Sequence, residues 1–252
     1  MGRAQSHAPF QYSKGAMLDL KQLAADLFGI TLTDEQLEQF DTYTRELLEW
    51  NEKINLTAIK TPQEVLVRHH LDSLSIVLGA EMRPNTRVID VGTGAGFPGL
   101  ALKIAYPFLD VTLLEATGKK VKFLEHVIAT LGLSDVRGLH ARAEEAGHMP
   151  DQRGQYHLVL ARAVARLPAL CEYMLPLAKV GGRCIAMKGA TAFEEVEMST
   201  DALRILGGRV DDVIEVKLPT VDEPHWLIVI DKVRETPAPY PRKPGTPTRK
   251  PL

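Results

Sequence analysis

Val88-Ile89-Asp90-Val91-Gly92-Thr93-Gly94-Ala95-Gly96-Phe97-Pro98-Gly99 (VIDVGTGAGFPG) decides the fold. Its first four residues form a short apolar strand, and its glycine run opens a helix. Glycines at such a junction let the backbone turn sharply and let a ligand lie against main-chain atoms. A dinucleotide site asks for G-x-G-x-x-G. Here the third glycine comes one place early and Phe97 fills the sixth place. Asp90 stands two residues before the first glycine, where it would repel a pyrophosphate but suits a cationic sulfonium ligand with a free amino group. Glu115, 23 residues after Gly92, closes the next strand, the position from which an acid takes both ribose hydroxyls. The D-x-G-x-G-x-G…E arrangement reads as S-adenosylmethionine binding. A nicotinamide or flavin site and a purely structural turn are the alternatives.

Outward from this stretch the pattern repeats. Val111–Leu114 is a strand, followed by a helix over Lys119–Leu131. Leu158–Leu160 and Cys184–Met187 read as buried strands flanking a helix over Leu167–Lys179, which Gly181-Gly182 ends. Val210–Leu218 and Trp226–Val233 are close enough for an antiparallel pair. Alternating strands and helices closed by such a pair make an α/β fold, an open and mostly parallel sheet with helices on both faces. Upstream of residue 84 helical signals dominate. Thr33 is an N-cap ahead of Leu37, Phe40, Tyr43 or Thr44, and Leu47; Thr61-Pro62-Gln63-Glu64 starts a second helix running to Gly79. The chain is thus divided into a flexible basic N-terminus (1–15), a helical extension (16–84), the sheet domain (85–235) and a basic tail (236–252). Its six prolines argue for an extended or loosely docked tail.

Composition narrows the function. The 252 residues are 45% hydrophobic and 25% charged, the balance of a globular protein. No apolar run approaches a bilayer span, and no secretory signal is visible, so no membrane partner and a cytoplasmic site are expected. Gly2 with Ser6 matches a loose myristoylation pattern but lacks a second anchor. Cys171 and Cys184 are the only cysteines, which suits a reducing compartment. Net charge is −2, yet Lys232, Arg234, Arg242, Lys243, Arg249 and Lys250 make the C-terminus basic, and Arg3 and Lys14 do the same for the N-terminus. Basic ends on an acidic body fit a polyanionic partner or merely solvated tails. Adjacent histidines on a helix, as at His69-His70, point about 100° apart and do not share one ion easily. No metal is expected. Trp50 and Tyr43 have the spacing of core residues first and of base-stacking residues second.

With DVGTGAGFPG at Asp90–Gly99, LLEATGKKVKFLE at Leu113–Glu125, RAEEAG at Arg142–Gly147, ARAVARL at Ala161–Leu167 and AMKG at Ala186–Gly189, the chain resembles a known family. WNEKINLT at Trp50–Thr57, RHHLDSL at Arg68–Leu74 and the tail YPRKPGTPTRKPL match as well. The family is RsmG (GidB), bacterial methyltransferases of guanine N7 in 16S ribosomal RNA. The resemblance implies a class I S-adenosylmethionine-dependent methyltransferase, Rossmann-like, with an N-terminal helical extension. It implies methylation of guanosine 527 in the small-subunit decoding region, with S-adenosylhomocysteine as product. It places cofactor positions at Gly92, Phe97, Glu115, Ala143, Glu144 and Arg162, to which Asp90, Gly94, Gly96 and Ala116 are added from the motif. Where the family often has Asp before the fourth strand and serine before its arginine, this chain has Tyr156-His157 and Ala161.

Guanine N7 has a lone pair and no proton, so methylation there needs positioning and no general base. No (N/D)-P-P-(Y/F) follows the fourth strand, and no Pro-Cys pair is placed for attack on a pyrimidine. Arg162 lies past a strand's C-terminal end, where open sheets bind ligands, and is expected between cofactor and base. Arg142, Lys119, Lys120 and Lys188 follow other strands at the same edge. The expectation is that Arg142 and Arg162 act at the reacting centre, and that Lys119, Lys120, Arg142 and Lys188 meet RNA. The partner is 16S ribosomal RNA, a small subunit or an assembly intermediate, and the protein is expected as a monomer. A small-molecule methyltransferase with a helical lid and a non-catalytic RNA-binding module are the rivals. The basic termini count against the first, and the intact glycine loop and Glu115 against the second.

Overall fold

The computed structural model describes residues 19–252. The basic N-terminus and the Gly2/Ser6 pattern lie outside the described residues. A seven-stranded sheet runs in the order β3-β2-β1-β4-β5-β7-β6. Its strands are β1 (Arg87–Val91), β2 (Asp110–Glu115), β3 (Val136–His140), β4 (Tyr156–Arg162), β5 (Ala178–Lys188), β6 (Gly208–Val216) and β7 (His225–Lys232). The first five are parallel; β7 is antiparallel to both β5 and β6. The order reverses between β1 and β4, so a crevice opens at their C-terminal ends.

Alternation along the strands splits the core. Val88, Leu158, Leu160 and Ile185 face one layer, shared with the helical extension and the helix Gly118–Thr130. Ile89, Val91, Val159, Ala161 and Cys184 face the other, covered by the helix Leu167–Met174. Both cysteines are fully buried there, which pushes their thiols up and away from reactivity.

The extension begins with α1 (Leu20–Phe28) and α2 (Asp34–Asn51). Thr33 and Gln36 form a reciprocal capping box at the start of α2. The Gln36 amide also donates to the carbonyls of Ile104 and Ala105, the open C-terminal end of the helix Gly99–Ala105. Phe40, Tyr43 and Leu47 are buried at the expected spacing. Trp50 packs on Phe123, its ring 5.6 Å away, and Tyr43 is fully buried, so both belong to the core. Asn51 closes the next loop by accepting from the amides of Leu56 and Thr57 and donating to the Thr57 carbonyl.

Four elements differ from the sequence reading. Residues 62–78 are helical, but Leu66–Leu71 is wound as a π-helix and Ser75–Leu78 as a 3₁₀ turn. The π segment breaks the single-face pattern, so His69 through Ile76 are all buried. β3 carries no apolar run because it is the sheet's edge and all five of its residues are polar, small or half-exposed. The helix after β4 stops at Met174, and Ala178 already pairs with Tyr156. Gly181 and Gly182 therefore sit in an irregularity inside β5, where the register slips before Leu158↔Arg183. Finally, the tail is closely docked: Arg242 binds the fully buried Glu172 in a bidentate pair. Among the described residues no helix is long and apolar enough to cross a membrane.

Candidate cofactor and acceptor site

The glycine loop leaves β1 at the topological switch. Gly92 and Gly96 have φ of 65° and 101°, the left-handed region. A Cβ on Gly92 would come within 2.8 Å of Val164, and one on Gly96 within 2.5 Å of the Tyr43 hydroxyl. The loop can therefore approach both the end of β4 and the helical extension only because these positions lack side chains. Tyr43 donates from its hydroxyl to the Ala95 carbonyl, fixing the loop from above.

Two carboxylates hold the loop from below. Glu115 accepts from the Gly94 amide at 3.1 Å and the Thr117 amide at 2.7 Å. Asp90 is fully buried; its Oδ2 accepts from the Thr93 hydroxyl at 2.6 Å and the Gly99 amide at 2.8 Å. Its Oδ1 is buried with no hydrogen-bond partner. Burial pushes Asp90 up to about 6, against the pull of Thr93, Gly99 and the Arg162 charge. A buried carboxylate oxygen without a donor fits a ligand that brings a cation, and opposes one that brings phosphate.

A cavity of about 240 Å³ opens over the C-terminal ends of β1 to β4. Gly92, Ala116, Arg142, Ala143 and Glu144 line it, five of the residues expected from sequence. Asp90, Gly94, Gly96 and Glu115 shape the loop beside it without lining it. The Phe97 ring points elsewhere. It is 3% exposed and stacks between Tyr43 (4.9 Å) and His69 (4.6 Å), so only the Phe97 backbone belongs to the loop. Val164, Ala165, Tyr173, Gly245 and Thr248 line the cavity as well. Val164 and Ala165 lie in the ARAVARL run and Gly245 and Thr248 in the matching tail, but neither run marks them as cavity residues, and Tyr173 carries no signal.

Arg162, at the end of β4, reaches the π segment. It donates to the Arg68 carbonyl, to Asp72 Oδ2 and to His69 Nδ1, each at 3.0 Å, and its guanidinium lies 5.3 Å from the Phe97 ring centroid. His69 Nδ1 also lies 3.0 Å from the Arg68 carbonyl, and its Nε2 meets the Thr57 hydroxyl at 2.8 Å, so the ring is held from both sides. Burial first, and the Arg162 charge second, bring His69 down to about 4. His70 goes down to about 3, mainly by burial, and its Nε2 meets Thr44. The two rings thus bind different partners. Asp72 also meets His225 Nδ1 at 3.3 Å, and that hydrogen bond raises the histidine's pKa.

A second cavity, about 420 Å³, adjoins this cluster; Arg68, Asp72, Arg162, His225, Trp226 and Lys188 are among its walls. The RHHLDSL run points at this region without chemistry, and His225-Trp226 carries no sequence signal at all. Lys188 is drawn further inside than its place at the sheet edge suggests. Its ammonium pairs with Glu195 at 2.7 Å, also donates to the Ala165 carbonyl, and its side chain is only 10% exposed. The partner seven residues on has drawn it inside, where it holds the segment after β4 instead of projecting from the rim. Lys119, half-buried Lys120 and Arg142 do stand at the surface, with no ion pair among the described residues.

The comparisons agree with this geometry. The family model described as rRNA small subunit methyltransferase G matches residues 36–223. A curated relative of that name from Alkaliphilus metalliredigens is 50% identical over 89% of this chain and 94% of its own length. One from Acetivibrio thermocellus is 51% identical over 89% and 92%. The crystal structure of geranyl diphosphate C-methyltransferase from Streptomyces coelicolor, solved with S-adenosyl-L-homocysteine, shares the fold at a TM-score of 0.53 and 12% identity. It spans 80% of this chain and 99% of that one. Glycine loop, paired carboxylates, sheet order and close relatives converge: the chain belongs to the rRNA small subunit methyltransferase G (GidB) family and has the fold of an S-adenosylmethionine-dependent methyltransferase.

Proposed function

We propose that the protein methylates N7 of a guanosine in 16S ribosomal RNA, at the decoding-region position that the family resemblance implies, in the cytoplasm and as a monomer. One observation carries the reading. Arg162 and Ala163 line one cavity while Val164 and Ala165, the next two residues, line the other. A donor in the first and a base in the second would meet across the end of β4.

Gly92, Ala116, Ala143 and Glu144, with Asp90 and Glu115 beneath the loop, would hold S-adenosylmethionine, which supplies a methyl group on a sulfonium. Asp90 would face its cationic end and Glu115 its ribose. The acceptor cavity needs no proton acceptor, and its ionisable groups are already engaged: His69 by Arg162 and Thr57, Asp72 by Arg162 and His225. Positive charge develops on the base during transfer, so an uncompensated cation beside N7 would oppose the reaction. Here Asp72 balances Arg162, which makes Arg162 a positioning residue for the helical extension and the cavity wall. Trp226 offers an aromatic face for the base. Arg142, Lys119 and Lys120 are left to meet RNA phosphates.

The test uses radiolabelled S-adenosylmethionine and small subunits from a strain lacking the gene, followed by nucleoside mass spectrometry. Label recovered as 7-methylguanosine in 16S RNA is the expected result. Cofactor-binding protein that labels neither subunits nor extracted RNA would replace this reading with a small-molecule acceptor.

A further inference from the structure

The C-terminal segment, residues 236–252, lies beyond the part of the chain that the family model matches. It is held at successive points. The Arg153 guanidinium donates to the carbonyls of Thr236 (2.8 Å), Pro237 (3.2 Å) and Tyr240 (2.7 Å). Next, His148 meets the Pro241 carbonyl at 2.6 Å, and the Pro241 ring fits against Gly147, where a Cβ would approach it to 2.7 Å. Arg242 then binds Glu172 through Nη2 at 2.7 Å and Nε at 2.9 Å.

Glu172 is completely buried. A desolvated ion pair gives little net stability, but its bidentate geometry fixes direction and register. That register has a destination. Three residues on, the Gly245 amide donates to Glu144 Oε1 at 2.9 Å; six residues on, the Thr248 hydroxyl meets the Tyr173 hydroxyl at 2.9 Å. Gly245 and Thr248 thereby stand in the wall of the 240 Å³ cavity. Glu144 follows β3, which lies beyond β2 from the glycine loop. With the ribose at Glu115 on β2, the base of the cofactor falls on the β3 side.

We propose that Gly245 and Thr248 are the adenine-side wall of the cofactor site, and that the Arg242–Glu172 pair delivers them there. This rests on the cofactor reading above. The segment is then a working part of the binding site, and residues before 236 form an incomplete pocket.

Isothermal titration tests it, comparing the full chain, a chain ended after Arg242, and full-length Thr248→Trp. The shortened chain keeps the Arg153 and Arg242 anchors. S-adenosylhomocysteine and 5′-methylthioadenosine, which share the 5′-thioadenosine moiety but not the amino-acid group, should both bind the shortened chain and Thr248→Trp about tenfold or more weakly. Hydrogen exchange of residues 245–250 in the full chain should slow when S-adenosylhomocysteine is added. Unchanged affinity in both variants, a loss confined to S-adenosylhomocysteine, or unchanged exchange at 245–250 would overturn the proposal. If the shortened chain fails to fold, Thr248→Trp and the exchange measurement decide. A full-length chain that binds neither ligand would overturn the cofactor reading itself.

Discussion

Asp90 holds its charge against the surrounding protein, and cofactor affinity should show it. Burial brings its carboxyl up to about 6. A cationic ligand favours the ionised form, so affinity for S-adenosylmethionine should fall as pH drops through 6. Asp90→Asn should bind more weakly and lose that pH dependence; titrations at pH 5, 6 and 7.5 check both. Gly96 makes a different demand. Its φ of 101°, and the Tyr43 hydroxyl 2.5 Å from where a Cβ would sit, leave no room for alanine. Gly96→Ala should cost about 2 kcal/mol or more in urea denaturation and weaken cofactor binding with it.

The element that joins extension to sheet is the π segment, and it should be acid-labile. The unfolded chain holds a proton on each histidine below 6.5, whereas the folded chain resists protonation down to about 4 at His69 and about 3 at His70. Across that window the unfolded state binds more protons, so stability falls as pH falls from 6.5. Asp90 has the opposite sign, since its raised folded pKa is relieved by acid, but its displacement is smaller than that of His70. The thermal midpoint should drop between pH 7 and pH 5, and His70→Asn should flatten the curve. Arg162→Ala should destabilise the protein by about 3–5 kcal/mol, because Asp72 would be left buried with His225 as its one cationic neighbour.

Much of this scale is legible in the sequence. Thr33 and Thr61 announce their helices because capping chemistry is local. Glycine loop, Asp90 and Glu115 announce the site because their residue types are demanded at fixed spacing. The π winding, the inward turn of Lys188 and the tail's docking are not legible. Each depends on partners far along the chain, and the tail is held largely through backbone carbonyls, which every residue carries.

Over the whole molecule, charge is segregated. The body is acidic, while exposed Arg142 lines the first cavity and exposed Lys119 and half-buried Lys120 begin the helix after β2, all three without ion-pair partners among the described residues. Affinity for small-subunit RNA should therefore be local and salt-sensitive. Replacing all three by alanine should weaken binding and reduce the slope of log affinity against log salt by roughly one per lost phosphate contact. Cofactor affinity should change little for Lys119 and Lys120, whose side chains do not line the cavity.

The wide turn at Leu66–Leu71 also sets a limit on chain length. A π turn accommodates one residue more than an α turn, so deleting a single residue there would let the helix close into regular winding. The wide turn takes up the ~100° of its extra residue, so the segments on either side would keep their phase and the change would fall on the residues inside the turn. Arg68, His69 and His70, which meet Arg162 and Phe97 from within that turn, could no longer do so together. The extension would stay docked through Gln36 and Tyr43, and the turn's own hold on Arg162 and Phe97 would be what is lost.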